Sequence, residues 1–380
     1  AMLVEFPNAC FIFDEIHTYD PRVVGLTLGS AKLLSRWGGC SLFLSATLPE
    51  FLSQLIREVM GDIPFIEPDP NQKEDKEILD RKRHWITVKD GNIFDYLEEI
   101  VESCSKSSST LIVCNHVGTA QKVYLEIKRR IKNLKPEDII LLHSRFTYED
   151  RNYKESIITS EDRGLPRILV ATQVVEVSLD VDFEQGYMEP APIDALVQRM
   201  GRINRVAKRP PANVVVFTEQ IGTFNLYCNC RGVEHQQDCI VKRTLDELND
   251  AENPLGEEDL IKIADRVYED GYRGEDRRKF EEGLNHPDII NFEERLIAGA
   301  CQNWVEEIIE KTDGIFEVLP VSLLEEFEKK RKEGLWIGAN NLLVPIRTRS
   351  LGWLKSKIDM SEDPWIAHLN YSSDIGLEME

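Results

Sequence analysis

Two short apolar runs near the start of the chain predict strands of a parallel sheet. Residues 10–14 read Cys-Phe-Ile-Phe-Asp and residues 41–45 read Ser-Leu-Phe-Leu-Ser, and runs of this length are typical of buried strands. Between them, Pro21 predicts a helix, because proline is favoured in the first turn. Strand, helix and strand in this order indicate part of an α/β lobe. We assign this truncated lobe to residues 1–66.

A longer alternation of strands and helices follows a charged linker. Residues 67–83 contain two prolines and few apolar side chains, which favours a linker. In the next block, residues 84–222, apolar runs alternate with segments of helical periodicity. The runs lie at 111–114, 139–142, 168–171 and 214–217. This pattern predicts a complete, doubly wound α/β lobe.

Beyond residue 222 the pattern changes. Residues 223–240 contain several cysteines and no clear periodicity, which predicts a loop. Residues 241–380 show mostly helical periodicity with many charges, and we expect a mostly helical accessory domain there. The predicted fold class is therefore α/β: a truncated first lobe, a complete second lobe with a parallel sheet, and a helical C-terminal domain.

Composition limits the classes of protein to which the chain can belong. The net charge of −21 argues against a simple nucleic-acid-binding protein, which is usually basic. From residue 240 onward 32 acidic side chains stand against 18 basic ones. A nucleic-acid track must therefore be a local basic groove in the first two thirds, or must use backbone amides and hydroxyls. No apolar run is long enough to cross a membrane. Eight cysteines without a secretion signal predict reduced thiols and a cytoplasmic protein.

Carboxylates directly follow the first predicted strand. Asp14 and Glu15, in a D-E-x-H segment that ends at His17, lie where α/β sheets bind ligands. An Asp there can hold Mg²⁺ through water, and an adjacent Glu can deprotonate an attacking water. A solvated acidic turn is the alternative. Ser45 and Thr47 follow the second strand. A hydroxyl group there could hydrogen-bond His17 and link a nucleotide site to a nucleic-acid surface.

An arginine-rich string lies near the end of the second block. Residues 198–205 read Gln-Arg-Met-Gly-Arg-Ile-Asn-Arg. Arg202 and Arg205 are three positions apart, so on a helix they would share one face. Guanidinium groups neutralise the γ-phosphate in phosphoryl transfer, which predicts a catalytic role for both. A basic, exposed helix end is the alternative.

Together, these segments resemble motifs II, III and VI of superfamily 2 helicases. The resemblance implies ATP and Mg²⁺ as cofactors, with Asp14 holding the metal ion and Gln198 contacting the nucleotide. The segment from Thr172 to Asp180 resembles motif V. By that match Thr172 and Gln173 would contact DNA, and Asp180 would contact the ribose or an arginine finger.

Another candidate contact segment follows the predicted strand 139–142. His143, Ser144 and Arg145 stand at its end, where they could bind phosphate groups of DNA. The segment comes after residues 111–115, which resemble motif IV. For His143 a hydrogen-bonded structural role is the alternative.

Longer strings narrow the resemblance to the CRISPR-associated helicase–nucleases of type I systems. They are residues 13–21 (Phe-Asp-Glu-Ile-His-Thr-Tyr-Asp-Pro), 142–146, 172–176 and 179–183, with a weaker likeness at 370–377. The resemblance implies a motor that unwinds DNA and moves along single strands, after a guide-RNA surveillance complex has opened an R-loop. It also implies a partner His-Asp nuclease domain or subunit. The chain contains no His-Asp dipeptide, so we expect no such nuclease within it.

The chain contains no phosphate-loop signature. Neither a G-x-x-x-x-G-K-[ST] segment nor any Gly-Lys pair occurs. We therefore expect a fragment of a longer motor, or the product of a split gene, with little ATPase activity of its own. Two other interpretations stay open: another superfamily 2 DNA repair or RNA helicase, and a non-catalytic half-motor module.

A possible metal site lies in the cysteine-containing loop. Cys228, Cys230, His235 and Cys239 follow the pattern C-x-C-x₄-H-x₃-C. Three thiolates and an imidazole can close a tetrahedral Zn²⁺ site. A surface loop with incidental cysteines is the alternative.

Overall fold

The chain passes several times between two structural units in the computed structural model. The first comprises residues 1–82, 192–195 and 255–304, and the second comprises residues 83–191, 196–254 and 305–380. The residues described are 8–45, 48–132, 134–160, 164–176, 179–221, 227, 239–291, 314–361 and 363–379. Each unit takes segments from distant parts of the sequence, unlike the continuous domains expected above.

Strands and helices alternate through most of the chain. The strands are β1 (Cys10–Phe13), β2 (Cys40–Phe43), β3 (Lys82–Lys89), β4 (Thr110–Val113), β5 (Ile139–Leu142), β6 (Ile168–Ala171), β7 (Gln185–Met188), β8 (Ala212–Phe217), β9 (Leu255–Gly256), β10 (Ile315–Pro320), β11 (Val344–Arg347), β12 (Ile358–Asp359), β13 (Trp365–Ala367), β14 (Tyr371–Ser372) and β15 (Gly376–Leu377). The helices are α1 (Pro21–Arg36), α2 (Glu50–Met60), α3 (Lys73–Leu79), α4 (Leu97–Lys106), α5 (Val117–Arg130), α6 (Tyr148–Ile158), α7 (Ile193–Met200), α8 (Ile240–Asp250), α9 (Glu257–Val267), α10 (Gly274–Leu284), α11 (Pro287–Ile290), α12 (Leu324–Lys332), α13 (Trp336–Asn340) and α14 (Leu351–Leu354).

The first unit is built on the parallel pair of strands β1 and β2. The helix between them, α1, begins with Pro21 at its first position. The Asp20 side chain caps this helix by accepting a hydrogen bond from the Arg22 amide at 2.9 Å. The strand, helix and strand expected for this part of the chain are confirmed.

Glycines bring α1 and α10 close together in the first unit. A Cβ atom at Gly283 would lie 2.1 Å from the carbonyl oxygen of Arg22, and one at Gly25 would lie 2.1 Å from that of Phe280. Neither position could hold a larger residue without moving a backbone. Helices α1, α2 and α10 enclose the core of the first unit. The buried residues of this core include Ile16, Val24, Leu28, Leu52, Ile56 and Phe280.

The second unit is built on a parallel sheet with the strand order β5, β6, β4, β7, β8 and β3. Strands β4, β5 and β6 are buried at every position, as expected where helices cover both faces. The α/β lobe predicted for this region is confirmed. Because the strands are parallel, their carboxyl ends meet at one edge, where Asn115, His143, Thr172 and Glu189 follow them.

The C-terminal region differs from the single, mostly helical domain expected for residues 241–380. Helices α9, α10 and α11 belong to the first unit, and the residues from 305 onward belong to the second. There β11, β10, β13 and β12 form a mixed sheet in that order, and β14 pairs with β15 as a hairpin. These strands are two to six residues long. Such short strands between charged helices leave little periodicity to recognise.

The segment expected as a linker, residues 67–83, contains a short helix. This helix, α3, buries none of its residues, so it contributes little to a core. Among the described residues, no helix is long and apolar enough to span a bilayer.

Candidate functional site

The carboxylates of the first unit lie on a strained turn after β1. Glu15 adopts a left-handed conformation with a φ of 51°, which costs a non-glycine residue about 1–3 kcal/mol. The Thr18 hydroxyl donates a hydrogen bond to the Glu15 carbonyl at 2.8 Å, and the Tyr19 hydroxyl donates to the Asp14 carbonyl at 2.9 Å. These bonds hold the turn, and strain of this kind is common at functional sites.

His17 connects this turn to the end of β2. Its Nδ1 lies 2.6 Å from Ser45 Oγ and 3.4 Å from a carboxylate oxygen of Glu15. Only 1% of the imidazole side chain is exposed. Burial lowers the pKa of His17, and the charge of Asp194 in the same unit opposes that shift. The hydrogen bond expected between His17 and Ser45 is therefore present.

Asp14, which the sequence predicts to hold Mg²⁺, lies at the surface of the first unit. Its side chain is exposed, and no described residue donates a hydrogen bond to its carboxylate. Mg²⁺ is commonly held by one or two carboxylates together with water and substrate phosphates. Within the described part of the chain, no cluster of three or more His, Cys, Asp or Glu could enclose a metal ion. Thr47, the second hydroxyl expected here, lies outside the described residues.

In the second unit, the end of the arginine string contacts the loop that carries Asp180. The Arg205 guanidinium forms an ion pair with the Asp180 carboxylate. The Arg205 amide donates a hydrogen bond to Asp182 Oδ1 at 2.7 Å, and Arg209 Nη2 donates to the same atom at 2.6 Å. The side chains of Arg205 and Asp180 are 42% and 90% exposed. Of the two contacts expected for Asp180, the structure has the one with an arginine.

Arg202 is bound differently from Arg205. Its Nε donates a hydrogen bond to the Val175 carbonyl at 3.0 Å, and its Nη2 donates to the Glu176 carbonyl at 2.7 Å. The shared helix face expected for the two arginines is wrong, because α7 ends at Met200 and both lie beyond it. The backbone turns there, so Arg202 points to the turn after β6 whereas Arg205 is partly exposed.

Arg199 is a fully buried charge that the sequence reasoning did not single out. Its guanidinium donates hydrogen bonds to Tyr227 Oη (2.7 Å), Glu176 Oε1 (2.8 Å), Asn115 Oδ1 (3.1 Å) and the Glu189 carbonyl (3.2 Å). Burial alone would lower the pKa of Arg199, but Tyr227 and Glu176 raise it above its usual value. The only signal in the sequence is an arginine on an apolar helix, between Leu196 and Met200.

A buried carboxylate completes this network. Glu189 accepts hydrogen bonds from the amides of Asn115 at 2.6 Å and Ile221 at 3.0 Å. Burial raises the pKa of Glu189, and these two N–H groups limit the rise. The Asn115 side chain donates to Gln220 at 2.9 Å, and Gln173 donates to the Asn115 carbonyl at 2.9 Å. The segments after β4, β6, β7 and β8 are thus tied together.

The side chains expected to contact DNA differ in exposure. Thr172 is only 2% exposed, and Gln173 is half-buried in the network just described. Gln198, expected at the nucleotide, is also half-buried. Ser144 is exposed and Arg145 is half-buried, so these two are better placed for contact with a phosphate group.

His143 has the structural role that the sequence left open as the alternative. Its Nε2 donates a hydrogen bond to the Ile375 carbonyl at 3.0 Å, and its Nδ1 accepts one from the Arg145 amide at 3.1 Å. The ring stacks on Phe146 with 4.3 Å between centroids. Burial lowers the pKa of His143 to about 3. A fully buried, neutral imidazole does not offer the phosphate contact expected of it.

The proposed zinc ligands lie mostly outside the described residues. This applies to Cys228, Cys230 and His235. Cys239 is buried and disulfide-bonded, so its sulfur is neither the expected reduced thiol nor the thiolate that Zn²⁺ binds. The other described cysteines are free: Cys10, Cys40, Cys104 and Cys114.

Comparison with known proteins finds a family match over part of the second unit. The family model "CRISPR-associated nuclease/helicase Cas3, C-terminal" matches residues 106–208, which include β4 to β7 and the arginine string. The CRISPR-associated endonuclease/helicase Cas3 of Escherichia coli is 32% identical over 232 residues. In this region the chain is similar to Cas3 proteins. The matched part covers 52% of this chain and 25% of the Escherichia coli relative.

The chain is similar to other Cas3 proteins as well. A Cas3 of Methanocaldococcus jannaschii is 29% identical over 273 residues, which cover 69% of this chain and 35% of that protein. The chain therefore spans about a third of the length of this relative. The structure of T. fusca Cas3-ATP has a TM-score of 0.65 at 18% identity and covers 97% of this chain and 53% of that one. At this identity the likeness establishes the Cas3 fold.

A second structural likeness comes from an assembly. A chain in a solved CRISPR RNA-guided surveillance complex, in a pre-nicking state, has a TM-score of 0.58 at 17% identity. It covers 97% of this chain and 56% of that one. This likeness again concerns the fold.

Proposed function

We propose that the chain is the motor part of a Cas3 helicase, which uses ATP hydrolysis to move along single-stranded DNA in type I CRISPR interference. The observation that carries the proposal is the attachment of the arginine segment 199–205 to the turn after β6. Arg199 and Arg202 bind the side chain and carbonyl of Glu176, and Arg205 binds Asp180. This attachment lies within the part of the chain that matches the Cas3 family model.

The first unit supplies the carboxylates for ATP hydrolysis in this proposal. Mg²⁺, when bound with ATP, neutralises phosphate charge, and the exposed Asp14 would hold it through water. Glu15, fixed on its strained turn, accepts a proton from the attacking water. The hydrogen bond between His17 and Ser45 joins this turn to the end of β2, so a change at the nucleotide can reach the residues that follow β2.

In the second unit we propose one arginine for the stabilisation of phosphate charge. We assign this role to Arg205, because its guanidinium is partly exposed and held by one exposed carboxylate. Arg202 instead positions the turn after β6, since it donates hydrogen bonds to two carbonyls there.

The assignment predicts that Arg202→Ala lowers the melting temperature of the chain and that Arg205→Ala leaves it within about 1 °C. Equal losses in the two variants would contradict the assignment.

DNA contact is proposed for the loop after β5 and the turn after β6. Ser144 and Arg145 of the loop would bind phosphate groups. Thr172 and Gln173, the first residues of the turn, would hold that turn in position for contact with DNA. Gln198 is proposed to contact the nucleotide. A guide-RNA surveillance complex and a His-Asp nuclease domain or subunit are the proposed partners. The surveillance-complex chain of the same fold and the nuclease/helicase names of the relatives support them.

The choice of nucleic acid tests the proposal. Fluorescence anisotropy with labelled single-stranded DNA, duplex DNA and RNA of one sequence should give the lowest Kd for single-stranded DNA. About 50 mM salt suits the measurement, because phosphate contacts weaken steeply as salt rises. Arg145→Ala should weaken binding, whereas Arg129→Ala, an exposed arginine near the end of α5, should not. Tighter binding of RNA would overturn the DNA assignment and favour an RNA helicase.

A further inference from the structure

The C-terminal hairpin β14–β15 packs directly against the loop that follows β5. The Leu377 amide donates a hydrogen bond to the Arg145 carbonyl at 2.8 Å. The Ile375 carbonyl accepts hydrogen bonds from His143 Nε2 at 3.0 Å and from Gln121 Nε2 of α5 at 2.7 Å. Backbone atoms of the hairpin therefore bind both the loop and the helix beside it.

Gly376 permits this close approach. Its φ is +76°, a conformation that residues with a side chain rarely adopt. A Cβ atom there would lie 2.6 Å from His143 Cε1 and 2.7 Å from the Arg145 carbonyl oxygen. Any larger residue at this position would thus push the hairpin away from the loop.

Charged groups hold the tip of the hairpin on the second unit. Asp374 accepts a hydrogen bond from the Tyr124 hydroxyl at 2.5 Å and forms an ion pair with Lys128 at 2.8 Å. Lys154 of α6 donates a hydrogen bond to the Asp374 carbonyl at 3.4 Å, and its Nζ lies 4.4 Å from the centre of the Phe146 ring. Burial lowers the pKa of Lys154 to about 8. The tip therefore contacts both α5 and α6.

The first strand of the hairpin reaches the start of α6. The Tyr371 hydroxyl accepts a hydrogen bond from the Thr147 amide at 3.1 Å and donates one to the Asp150 carboxylate. Thr147 is the N-cap of α6. Both ends of the loop, at His143 and at Thr147, are therefore bonded to the hairpin.

The other side of the hairpin belongs to the core of the mixed sheet. Leu377 is fully buried and Met379 is 2% exposed, in a cluster with Val318, Val344 and Ile346. The hairpin thus joins the mixed sheet to a loop of the parallel sheet. A movement of one would be transmitted to the other through these contacts.

We propose that the hairpin at residues 371–377 positions Ser144 and Arg145 for contact with the DNA backbone, through its bonds to the main chain and His143. The inference rests on the proposed function, because it assumes that this loop binds DNA. Its residues are positioning residues: they touch the loop and not the nucleic acid. Without them the Arg145 carbonyl and the His143 ring lose their partners, and a displaced loop binds phosphate less well.

Gly376→Ala tests the inference against a matched control. Gly334 has nearly the same φ, +77°, in the same unit, but a Cβ atom there meets nothing within 4 Å. Gly334→Ala therefore shares the backbone strain without the contact. The Kd for single-stranded DNA should rise about tenfold in Gly376→Ala, the loss expected for one charge-assisted hydrogen bond, and less than twofold in Gly334→Ala. Equal Kd values in the two variants would overturn the inference.

A milder change guards against loss of folding. Asp374→Asn removes the ion pair with Lys128 but can keep the hydrogen bond with Tyr124. Its control is Asp246→Asn, which removes an exposed ion pair with Lys242 in α8. We expect the Kd to rise two- to threefold in Asp374→Asn, about half a kcal/mol, and to stay unchanged in the control. No difference between them would count against the inference.

A readout without DNA separates this inference from the proposed function. Because the hairpin buries His143, its imidazole NMR signals should not titrate above pH 5 in the wild type. In Gly376→Ala these signals should titrate closer to the ordinary histidine range. The His143→Gln variant, in which they are missing, identifies them. If they titrate alike in both proteins, the hairpin does not hold the loop and the inference fails.

Variants of the loop itself complete the design. If Ser144→Ala and Arg145→Ala leave DNA binding unchanged, the loop does not bind DNA, and the proposed DNA contact and the inference both fail. If they weaken binding while Gly376→Ala does not, only the inference about the hairpin fails. Weakening in all three, with the NMR change in Gly376→Ala, supports both.

Discussion

Glu176 is held by two arginines of the same segment, one at its side chain and one at its backbone. Arg199 Nε lies 2.8 Å from its carboxylate, and Arg202 Nη2 lies 2.7 Å from its carbonyl. A buried ion pair adds little net stability compared with well-packed apolar groups, but loss of one member leaves an unpaired buried charge. The pair therefore makes the position of the turn depend on the arginine segment.

Replacement of Arg199 should show how strongly this segment holds the turn. Arg199→Lys keeps the charge but cannot donate to the four acceptors that surround the guanidinium. We expect the free energy of unfolding, measured by urea titration, to fall by about 3 kcal/mol. Arg129→Lys, at an exposed pair, should lower it by less than about 0.5 kcal/mol. A loss below about 1 kcal/mol for Arg199→Lys would contradict this account.

Two buried histidines should make stability depend on pH. Burial lowers the pKa of His143 to about 3 and that of His84 to about 4. Between these values and about 6.5, the unfolded chain binds protons that the folded chain does not. Stability is therefore highest above pH 6.5 and falls as the pH falls, by up to about 1.4 kcal/mol per pH unit for each histidine.

Urea titrations at pH 7, 6 and 5 would measure this dependence. His143→Gln should have a slope between pH 6 and 5 that is shallower by about 1.4 kcal/mol per pH unit. His368→Gln, at an exposed position, should keep the wild-type slope. The same slope in His143→Gln and the wild type would show that His143 titrates normally in the folded chain.

Elements with continuous apolar runs were predictable from the sequence, and elements fixed by distant contacts were not. Strands β4, β5 and β6 are buried on both faces, so their sequences show where they lie. The return of α10 to the first unit depends on backbone contact with α1, which no local pattern reveals. Likewise, the sequence of residues 198–205 identified the arginines as candidates. Their different environments could not be predicted, because they depend on where α7 ends and on the distant residues Glu176 and Asp180.

The α1–α10 contact makes a prediction in which two effects oppose each other. Alanine is favoured over glycine inside a helix by about 1 kcal/mol, so propensity alone predicts that Gly283→Ala stabilises α10. The new Cβ atom would lie 2.1 Å from the Arg22 carbonyl oxygen, and such overpacking commonly costs about 1–3 kcal/mol or more. We expect the contact to dominate and the melting temperature to fall. Calorimetry on the full chain measures this.

Gly338→Ala provides the control for that contact. Gly338 lies in α13, and a Cβ atom there would approach only side-chain atoms, at 3.7 Å and beyond. Its melting temperature should stay the same or rise. If the Gly283→Ala variant had the same melting temperature as Gly338→Ala, α1 and α10 would not be in close contact.

At the scale of the whole molecule, each unit depends on residues far away in the chain. The first unit gains α9, α10 and α11 from beyond residue 254, and the second gains the mixed sheet and the hairpin from beyond residue 304. The acidic C-terminal part of the sequence is thus a component of both units. Prediction from the sequence assumes that each domain is one continuous segment of the chain. It therefore describes the two α/β lobes better than the region that follows them.

The whole chain should bind single-stranded DNA but should show little ATP hydrolysis by itself. Asp14 and Glu15 are the carboxylates proposed for ATP hydrolysis, but the chain has no G-x-x-x-x-G-K-[ST] segment to hold the β- and γ-phosphates. With Mg²⁺, ATP and single-stranded DNA, phosphate release by the chain alone should not exceed that of its Glu15→Gln variant. That variant removes the proposed proton acceptor, so it also corrects for a contaminating ATPase. A wild-type rate tenfold above Glu15→Gln would show that the chain holds ATP productively without a phosphate loop, and would contradict this prediction.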